Sequence, residues 1–497
     1  MSALTQRTLE LLKAAQGGLR KDATTAGLTT GTGLTYYNLE PAAKLLYPVL
    51  TPLRNSIPRV GKIGAGYGTA AHWKAITAIN PTGIYAGVSE GNRGAQISVT
   101  EKDYTAAFKG IGLENSATFE SVYGAEGFDD ERALAVLTSL QALMLAEEQM
   151  ILTGNTSLAL GTTPTPTVTL NAGTGSFAAS TSIQVACVAL TPFGMNQAGA
   201  SGPVVTQFTR TNQDGSTDTI NGGQAAISAL STAVTSSSTA DSQTATATVT
   251  PVKGAAGYAW FVTNGGTTLA TSYLAGITSV PSFTFSALPA TTNQAGNATG
   301  LSSDHSTNTL DFDGLITQAL NGGGYYVDLS AAKLTADGEG GVVEIDAALK
   351  YFWDTYKISP SSIRVGSQQQ KDISTKVLSG STNPVYRIQL ENGGQRSATA
   401  GSLVTSYLNK YGLGGARELP IELHPNMPAG VILFDLETVP YPNSNVPTAR
   451  RIRTRQEYYQ QEWPLTSRKY QYGVYADEVL QVYVPFGMGV ISGILAG

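Results

Sequence analysis

The sequence predicts an α+β chain into which a separate all-β sandwich is inserted. A run with helical spacing, residues 129–153, begins with acidic side chains and stops at Gly154. Between Thr156 and Gly300 only five residues are charged, and the pattern is one of short strands separated by turns. From Leu310 charged residues return, and helical and strand-like stretches alternate. These three observations place an all-β unit inside a chain of mixed α and β structure.

The composition limits the classes of protein to consider. With 497 residues and 41% apolar content, the chain is long enough for roughly two to four domains with substantial cores. Only 13% of residues are charged and the net charge is −5, whereas proteins that bind nucleic acid by counterion release carry a basic excess. Cys187 is the one cysteine, which excludes an intrachain disulfide framework and a cysteine-rich metal site.

Neither a membrane span nor a secretion signal is expected. The chain contains no run of about 18 apolar residues, the length that a spanning helix needs. Its start, "MSALTQRTLELLKAAQGGLRKD", lacks the apolar core and the cleavage site of a signal peptide. We therefore expect synthesis and retention in the cytoplasm, at least until assembly.

Residues 1–60 predict an N-terminal arm with short helices. The candidates for the apolar side of its first helix are Leu4, Leu9, Leu11 and Leu12. Pro41 predicts the start of a further helix, because proline is favoured at the first helical position. Three leucines are spaced for a partner surface: Leu45, Leu46 and Leu53. Prolines that prevent one long helix follow at Pro48, Pro52 and Pro58.

Residues 61–112 predict a long β-hairpin with a flexible tip. The stretches "AAHWKAITAINPT" and "GAQISVTEKDYTAAFKG" alternate like strands, and the Gly-rich "GIYAGVSEGNRG" separates them. The strands carry too few apolar residues for a core of their own. Since an isolated hairpin is marginally stable in water, we expect this one to lie on another surface.

The run 129–153 is the strongest helix signal and belongs to a unit formed by residues 113–157 and 436–497. Asp129, Asp130 and Glu131 supply an N-cap and negative charge at its start. A helix of this length measures about 36 Å, long for a globular domain.

Residues 158–300 predict the inserted sandwich. In its first strong strand Ile183, Val185, Cys187 and Val188 are expected near one face, before a turn at Pro192 and Gly194. A later strand is expected to carry Tyr258, Trp260 and Val262. Asn264-Gly265, which follows that strand, is a strong hairpin signal.

Residues 301–435 predict a mixed α/β unit. An amphipathic helix is expected in "GGVVEIDAALKYFWDTYKISP", with its apolar side formed by Val343, Leu349, Phe352 and Trp353. "SSIRVGSQQQKDISTKVL" predicts a strand, a polar turn and a helix, and "LPIELHPNMPAGVILFDLETV" predicts two strands around a turn. The last residues, 450–494, predict two or three long strands.

Catalytic chemistry finds little support. Gly87-Val88-Ser89-Glu90-Gly91 fits the G-x-S-x-G pattern, but that nucleophile requires a strand turning into a helix, and Ser89 lies in a hairpin tip. The three histidines are far apart in sequence and are expected to pack or to lie on the surface: His72, His305 and His424. The sequence therefore predicts no catalytic, cofactor-binding or metal-binding residue.

Three further patterns are interpreted as structural. "GKIGAGYG" at residues 61–68 lacks the Lys-Ser/Thr ending of a phosphate loop and indicates a hinge. "DFDG" at 311–314 lacks the other ligands of a calcium loop and indicates a turn and a helix cap. An alternating basic run predicts a solvated or inter-subunit salt-bridging strand, with a DNA-facing surface as the minor alternative: Arg450, Arg451, Arg453 and Arg455.

The order of these elements resembles the major capsid protein family of tailed bacteriophages, the Hong Kong 97-type fold. The stretches that carry the resemblance are "LLYPVLTPLRNSIPRV", "LMLAEEQMILTGN", "VVEIDAALKYFWDTYKISPSSIRVGSQQQKDIS", "LPIELHPNMPAGVILFDLETVPYP" and "YYQQEWPLTSRKYQYGVYADEVLQVYVPFGMGVI". They resemble the arm, the end of the spine helix, the axial helix-strand-helix and the closing strands of such proteins. The resemblance covers about 350 residues, everything outside the insert.

The resemblance implies a fold and a function. The fold has an N-arm, an extended loop, a peripheral domain with a spine helix and an axial domain. The function is self-assembly into pentamers and hexamers of an icosahedral head shell that encloses double-stranded DNA without sequence-specific binding. Scaffolding, portal and decoration proteins are implied partners, and the protein is expected in the virion, assembled in the host cytoplasm.

Two finer points follow from the resemblance. The insert resembles immunoglobulin-like or fibronectin type III modules, notably in "TVTPVKGAAGYAWFVTNGG", and such modules decorate the outer face of phage particles.

Some relatives join subunits through a Lys-Asn isopeptide bond. The candidate residues here are Lys74, Lys102, Asn443 and Asn445, but no motif ties them together, so non-covalent contacts are expected.

Two alternatives remain open at the level of sequence. A surface-layer or adhesin-type protein is suggested by the Thr-rich β-module, and excising residues 160–300 separates it from a capsid protein, whose core should still assemble. A serine hydrolase using Ser89 is the weaker alternative, and Ser89→Ala tests it.

Overall fold

The computed structural model describes residues 44–61, 68–79, 86–126, 129–199, 202–379, 390–392, 395–397, 403–412, 416–441 and 444–497. Before the β-module the elements are α1 (Pro52–Ser56), β1 (Arg59–Val60), β2 (Ala70–Ile79), β3 (Val99–Ala107), β4 (Lys109–Thr118), α2 (Phe119–Gly124) and α3 (Glu131–Thr153). The β-module contains β5 (Thr167–Ala172), β6 (Ser182–Ile183), β7 (Val185–Leu190), α4 (Pro192–Ala198), β8 (Gln207–Thr211), β9 (Thr217–Asn221), β10 (Val234–Thr235), β11 (Gln243–Thr248), β12 (Gly257–Thr263), β13 (Ser272–Thr278) and β14 (Ser282–Phe285).

After the module the first elements are α5 (Leu315–Asn321), β15 (Tyr325–Asp328), α6 (Val343–Tyr356), β16 (Ser362–Val365), α7 (Ser367–Ser379), β17 (Leu390–Asn392) and β18 (Gln395–Ser397). The chain then forms β19 (Ser406–Asn409), β20 (Arg417–Leu423), β21 (Ile432–Asp435), β22 (Arg450–Glu462), β23 (Lys469–Val482) and β24 (Gly489–Ser492). The mixed α+β class predicted from the sequence describes these elements.

The N-terminal part differs from its prediction. Pro41 lies outside the described residues, and the helix that the structure shows starts at Pro52, with this proline in its first turn. Leu53 and Ile57 are buried, whereas Leu45 and Leu46 are exposed. Among the described residues of this part, the chain packs on the body of the subunit from Thr51 onward.

The long helix α3 begins and ends where local signals indicate. The Asp130 carboxylate accepts hydrogen bonds from the backbone N–H groups of Arg132 and Ala133 at 3.1 and 3.2 Å, so Asp130 is the N-cap. The 23 residues of α3 make a rod of about 35 Å. At Gly154 the backbone approaches the carbonyl of Phe312 so closely that a side chain would collide with it.

A four-stranded sheet in the order β1-β22-β23-β4 lies against α3. The strand β1 runs parallel to β22, and the other pairs are antiparallel. Ile111, Val474 and Ala476 point to the helix face and pack with Leu143. Residues 109–112, which the alternation of the sequence predicts as part of the hairpin, belong to β4 and pair with β23.

The hairpin β2–β3 leaves this sheet and is held at its base. Ala71 is buried and Trp73 packs edge-on against Tyr483 at 6.0 Å, while its other contact is a stack on Tyr104 at 5.6 Å. Beyond Trp73 most side chains of both strands are exposed. The expectation of a hairpin without a core of its own fits this arrangement.

The β-module contains two three-stranded antiparallel sheets, β14-β11-β5 and β13-β12-β7, that share one core. Trp260 is fully buried there, stacks on Phe283 at 6.0 Å and donates its Nε1 hydrogen to Thr278 at 2.8 Å. The two ends of the module meet, since Asn155 Nδ2 donates to the Ser306 carbonyl at 3.0 Å.

Two predictions inside the module are wrong. Every residue of β7 is buried, and Val188 packs in a second cluster on the face opposite to Cys187. Because neighbouring strand residues point to opposite faces, both faces of β7 need covering, and α4 helps to cover the second. Pro192 and Gly194 lie in α4 rather than in a turn, since Thr191 Oγ1 caps the helix by accepting from the Gly194 N–H at 3.1 Å.

The strands β12 and β13 form the antiparallel hairpin that Asn264-Gly265 indicated. The connection between them spans residues 264–271 and ends in a 3₁₀ turn, Leu269–Thr271. Gly265 has a φ of 83°, which explains why a glycine lies at this position.

A six-stranded mixed sheet in the order β15-β24-β21-β16-β20-β19 forms the last part of the fold. Ile345, Leu349 and Phe352 of α6 pack on it, whereas the predicted Val343 is 45% exposed and Trp353 is half-buried. The polar stretch after β16, predicted as a turn, already forms the start of α7.

Two predicted boundaries do not match this sheet. Residues 436–497 were assigned to the unit of α3, but β24 lies between β15 and β21 in the six-stranded sheet. Residues 301–435 were assigned to one α/β unit, but α5 packs with Ile151 and Leu152 at the end of α3. In both cases the pairing is between segments far apart in sequence, which local patterns do not report.

Candidate assembly interface

One face of the hairpin β2–β3 presents apolar side chains to solvent. The register pairs Ile79 with Val99, and the bulge between Ile76 and Ala78 places Ile76, Ile79 and Val99 on the same face. These side chains are 63%, 59% and 50% exposed. These three side chains form an apolar patch that the described residues leave uncovered. Glu101, the register partner of Ile76, lies on the same face, followed by Lys74 and Asp103.

A second uncovered strip precedes α1. Four large apolar side chains are at least 57% exposed along residues 45–50: Leu45, Leu46, Tyr47 and Leu50. The next apolar residues of the chain, Leu53 and Ile57, are buried in the core beside α3. Within a few residues the chain thus changes from an exposed strip to a segment that is buried beside α3.

The buried end of α3 holds this segment through Glu148. The Glu148 carboxylate is fully buried and accepts hydrogen bonds from the backbone N–H groups of Leu53 at 2.8 Å and Arg54 at 2.7 Å. It also contacts Nε2 of the buried His424 at 2.7 Å. An acidic side chain at the N-terminus of α1 compensates the unpaired N–H groups there.

The neighbouring Glu147 binds the side chains of the same segment. Its carboxylate, also fully buried, accepts from Arg54 Nε at 3.0 Å, from Arg59 Nη2 and from the hydroxyl of Tyr458. Arg59 also donates to the buried Glu478 at 2.7 Å. The term arm anchor denotes the carboxylates Glu147, Glu148 and Glu478 together with the groups they bind.

The arm anchor contains a carboxylate whose protonation is shifted. Burial and the nearby Glu478 carboxylate raise the pKa of Glu147 to about 8, although Arg59 and Arg54 act in the opposite direction. Glu147 therefore keeps its proton in the folded subunit at pH values where an exposed glutamate has lost it.

We expect a pH dependence of stability from this shift. Between pH of about 4.5 and about 8 the folded state binds more protons than the unfolded state, so the free energy of unfolding should fall as the pH rises. Glu147→Gln should flatten this slope. Urea unfolding of the subunit at several pH values across the window measures it, and an unchanged slope in the variant would contradict the assignment to Glu147.

A second ionic cluster lies between β22 and the six-stranded sheet and corrects the interpretation of the basic run. Arg450 is buried and donates to the Asp435 carboxylate, which also accepts from the buried Arg364 at 2.8 Å. Arg453 is buried too, and burial lowers the pKa of its guanidinium. Arg450 and Arg453 therefore do not form a solvated or DNA-facing strand.

The other two basic residues of the run are partly covered. Arg451 donates to Gln481 at 2.9 Å and lies 4.8 Å from the centre of the Tyr483 ring. Arg455 pairs with Asp477. The alternation in the sequence correctly indicated a strand. The residues that pair with these arginines and bury them lie elsewhere in the chain, so the local pattern did not show them.

The structure places the remaining sequence candidates apart from one another. Ser89 is exposed and its Oγ accepts from Asn92 Nδ2 at 2.6 Å, while the described residues 92–98 form no helix. His72 is exposed, and His305 is half-buried. The nucleophile context that the G-x-S-x-G pattern needs is thus missing from this part of the chain.

The other sequence candidates have structural surroundings. Two of the crosslink candidates are exposed: Lys74, which lies beside Glu101 and Asp103, and Asn445. Lys102 lies over the Tyr104 ring. Asn443 and most of the 61–68 loop fall outside the described residues. The free Cys187 is buried.

The "DFDG" turn joins the two ends of the module to the body. The Asp313 carboxylate accepts from the backbone N–H groups of Thr156 and Ser157 at 2.8 and 3.1 Å. Burial raises the pKa of Asp311 to about 6. The predicted turn agrees with these contacts. The predicted helix cap is Gly314, the N-cap residue of α5, which has no side-chain hydrogen bond to the helix.

The described part of the chain contains neither a candidate membrane-spanning helix nor a candidate metal cluster. No helix there is long and apolar enough to cross a membrane. The described residues also contain no group of three or more His, Cys, Asp or Glu side chains arranged to hold a metal ion.

The chain is similar in structure to phage capsid proteins. No family model and no curated protein matches it. Among solved structures it resembles the capsid of Myoviridae phage XM1, at 9% identity and a TM-score of 0.39, over 95% of this chain and 100% of that chain. It likewise resembles the capsid of the native GTA particle, at 10% identity and a TM-score of 0.40, over 95% and 100%.

A third similar structure is not a phage capsid. The holo-SrpI encapsulin complex from Synechococcus elongatus PCC 7942 matches at 7% identity and a TM-score of 0.39, over 93% of this chain and 92% of that chain. Because all these TM-scores are low, the likeness carries no argument about function by itself.

Proposed function

We propose that this chain is the major capsid protein of a tailed bacteriophage. Its copies assemble into pentamers and hexamers, and these form an icosahedral head shell around double-stranded DNA. The observation that carries the proposal is the patch of Ile76, Ile79 and Val99, which is apolar and exposed, borders the charged Glu101, and lies on a two-stranded ribbon that has no core.

The energetics favour coverage of this face by another subunit. Fully burying one such side chain contributes about 1.5–3 kcal/mol, and each of the three is at least half exposed. A hairpin of two strands is marginally stable alone and offers unpaired strand edges. Repeated contacts of one surface with a different surface on the next copy close into rings, which is the geometry that a shell needs.

The face can be tested by a single charge. Val99→Asp should prevent particle formation, because burying an unpaired carboxylate at a contact costs several kcal/mol and each contact repeats around the shell. Thr100→Asp is the matched control, since Thr100 is exposed on the opposite face of the same strand. Electron microscopy and sedimentation of the purified proteins compare the two.

The subunit fold provides the necessary second measurement. Both variants should unfold at the same denaturant concentration as the parent chain, because residue 99 contacts little within the subunit. Normal particles from Val99→Asp would refute the role of this face. A parent chain that stays monomeric under all assembly conditions would refute the capsid function as a whole.

The β-module is proposed to be an immunoglobulin-like decoration domain on the outer side of the shell. Its ends meet at Asn155, Ser306 and Asn308, with Asn308 N donating to the Asn155 carbonyl at 2.8 Å, which suits an insertion into a pre-existing fold. Pro192 and residues 254–256 of the module line a small cavity together with Ile316 and Leu320 of α5.

Excision of the module tests this assignment. Replacing residues 158–305 by a short Gly-Ser linker should leave a chain that still forms shells, with stability reduced by up to about 3 kcal/mol for each of Ile316 and Leu320 that becomes exposed. Particle formation by the excised chain is the measurement. Complete loss of assembly by a chain that remains folded would show that the module is part of the shell.

The proposal includes the domain boundaries predicted from the sequence. Residues 1–60 are the arm, 61–112 the extended loop, 113–157 and 436–497 the peripheral domain, 158–300 the insert and 301–435 the axial domain, apart from β4, α5 and β24 as described above. The protein is a structural component of the virion, assembled in the host cytoplasm, with scaffolding, portal and decoration proteins as partners and no enzymatic activity. Neighbouring subunits are held by non-covalent contacts.

A further inference from the structure

The face of the four-stranded sheet opposite to α3 carries a cluster of aromatic side chains. Because Ile111, Val474 and Ala476 point to the helix, their neighbours along the strands point away from it. On this other face Tyr459 is paired with Tyr475, and the two rings stack at 5.7 Å with 27° between their planes. Trp463 follows at the end of β22.

Two glycines allow Tyr475 to lie flat on the sheet. Gly112 is its partner on β4, and Gly473 precedes it by two residues on the same face of β23. A side chain at either glycine would collide with the Tyr475 ring. Because both positions are glycine, the Tyr475 ring lies over this face of the sheet, which is called the floor below.

Hydrogen bonds to one carboxylate fix the orientation of these rings. The Glu114 carboxylate accepts from Trp463 Nε1 at 3.0 Å and from the Tyr475 hydroxyl. The polar edges of both rings are therefore satisfied inside the subunit. Tyr459 and Trp463 remain 42% and 41% exposed. What they offer to a ligand is the flat apolar face of each ring.

The hairpin β8–β9 of the module forms the opposite wall of a groove over this floor. Gln471 Nε2 donates to Gln213 Oε1 at 3.2 Å and links floor and wall. On the wall Arg210 pairs with Asp218 at 2.8 Å, and Asn212 Nδ2 donates to the same carboxylate at 3.0 Å. The groove has a volume of about 990 Å³, in the upper range for ligand sites.

We propose that this groove binds a neutral carbohydrate chain. A sugar ring has one apolar C–H face, which stacks on an aromatic side chain, and a rim of hydroxyl groups, which bind planar amide, carboxylate and guanidinium groups. The aromatic rings of the floor supply the stacking surface. The polar side chains of the β8–β9 hairpin supply the groups that bind hydroxyls. Arg210 is paired with Asp218, so the groove presents no uncompensated cation for an acidic sugar.

The lining disfavours a peptide from a second copy of this chain. The aliphatic side chains at this part of β4, Ile111 among them, face α3. Both edges of β23 are paired, with β22 and β4, so that β4 is the edge strand of the sheet on this side. The floor therefore has no apolar pocket for alternating side chains of an added strand. The inference concerns recognition at the particle surface, so its failure would leave shell formation untouched.

The experiment measures binding of maltoheptaose, cellohexaose and linear mannohexaose to the purified full chain by calorimetry. At least one should bind saturably, with affinity lowered at least tenfold in Trp463→Ala and in Tyr459→Ala. Tyr123→Ala is the matched control, because Tyr123 is 71% exposed and lies outside the groove; it should bind like the parent.

Three outcomes would overturn the inference. One is that none of the three sugars binds. Another is that binding is equal in the parent and in both groove variants. The last is that Trp463→Ala stops particle formation although its subunit remains folded, which would assign the groove to a contact between copies. Unfolding curves of each variant establish that the subunit is intact.

Discussion

Replacing Glu148 by alanine should lower the free energy of unfolding of the subunit by about 3–5 kcal/mol. Glu148 is fully buried and accepts three hydrogen bonds, from the backbone N–H groups of Leu53 and Arg54 and from His424. Removing it leaves these buried donors without a partner, and loss of one member of a buried charged network costs about this much. Denaturant unfolding monitored by tryptophan fluorescence measures the loss.

The effect should also be local to the arm. Limited proteolysis should cut the Glu148→Ala variant near residues 44–60 before the rest of the subunit, because α1 loses its N-terminal acceptor. Glu120→Ala is the control: Glu120 and Arg468 form an ion pair with side chains 62% and 78% exposed, and such pairs contribute about 0–1 kcal/mol. Equal losses in the two variants would contradict an anchoring role.

Local signals predicted the elements that local physics determines. Asp130 and Gly154 mark the ends of α3 in the sequence, and the structure uses both residues for that purpose. The hairpin β2–β3 was predicted from alternation alone, together with its lack of a core, because few apolar residues occur along either strand. Capping and alternation act over a few residues, so a single sequence contains them.

The arm anchor was missed because its partners are distant in sequence. Glu147 and Glu148 look like ordinary helix formers within "LAEEQM", but they meet Arg54, Arg59 and His424, which lie about 90 to 280 residues away. One signal was available: two adjacent acids within the apolar half of a long helix point to buried cationic or N–H partners.

The strand β7 shows a different limit. Alternation of apolar and polar residues tells one covered face from one solvated face, but β7 is apolar at every position. The sequence therefore did not say that a second layer covers the outer face, and Val188 was assigned to the wrong side. The same applies to β24, whose position between β15 and β21 depends on strands more than 50 residues away.

Replacing Asp435 by alanine should be equally damaging, at about 3–5 kcal/mol, because it strands two buried cations. Asp435 is fully buried and binds Arg364 and Arg450, which are only 3% and 2% exposed. Their remaining acidic neighbours, Glu437 and Glu422, are about 40% exposed and are weaker partners. Denaturant unfolding measures the loss.

Adding Arg450→Met to Asp435→Ala should recover part of the stability, since one unpaired charge is removed while its packing volume is largely kept. If the double variant were less stable than Asp435→Ala by the full cost of a second substitution, the two residues would not be coupled, and the strand of basic residues would owe its burial to packing alone.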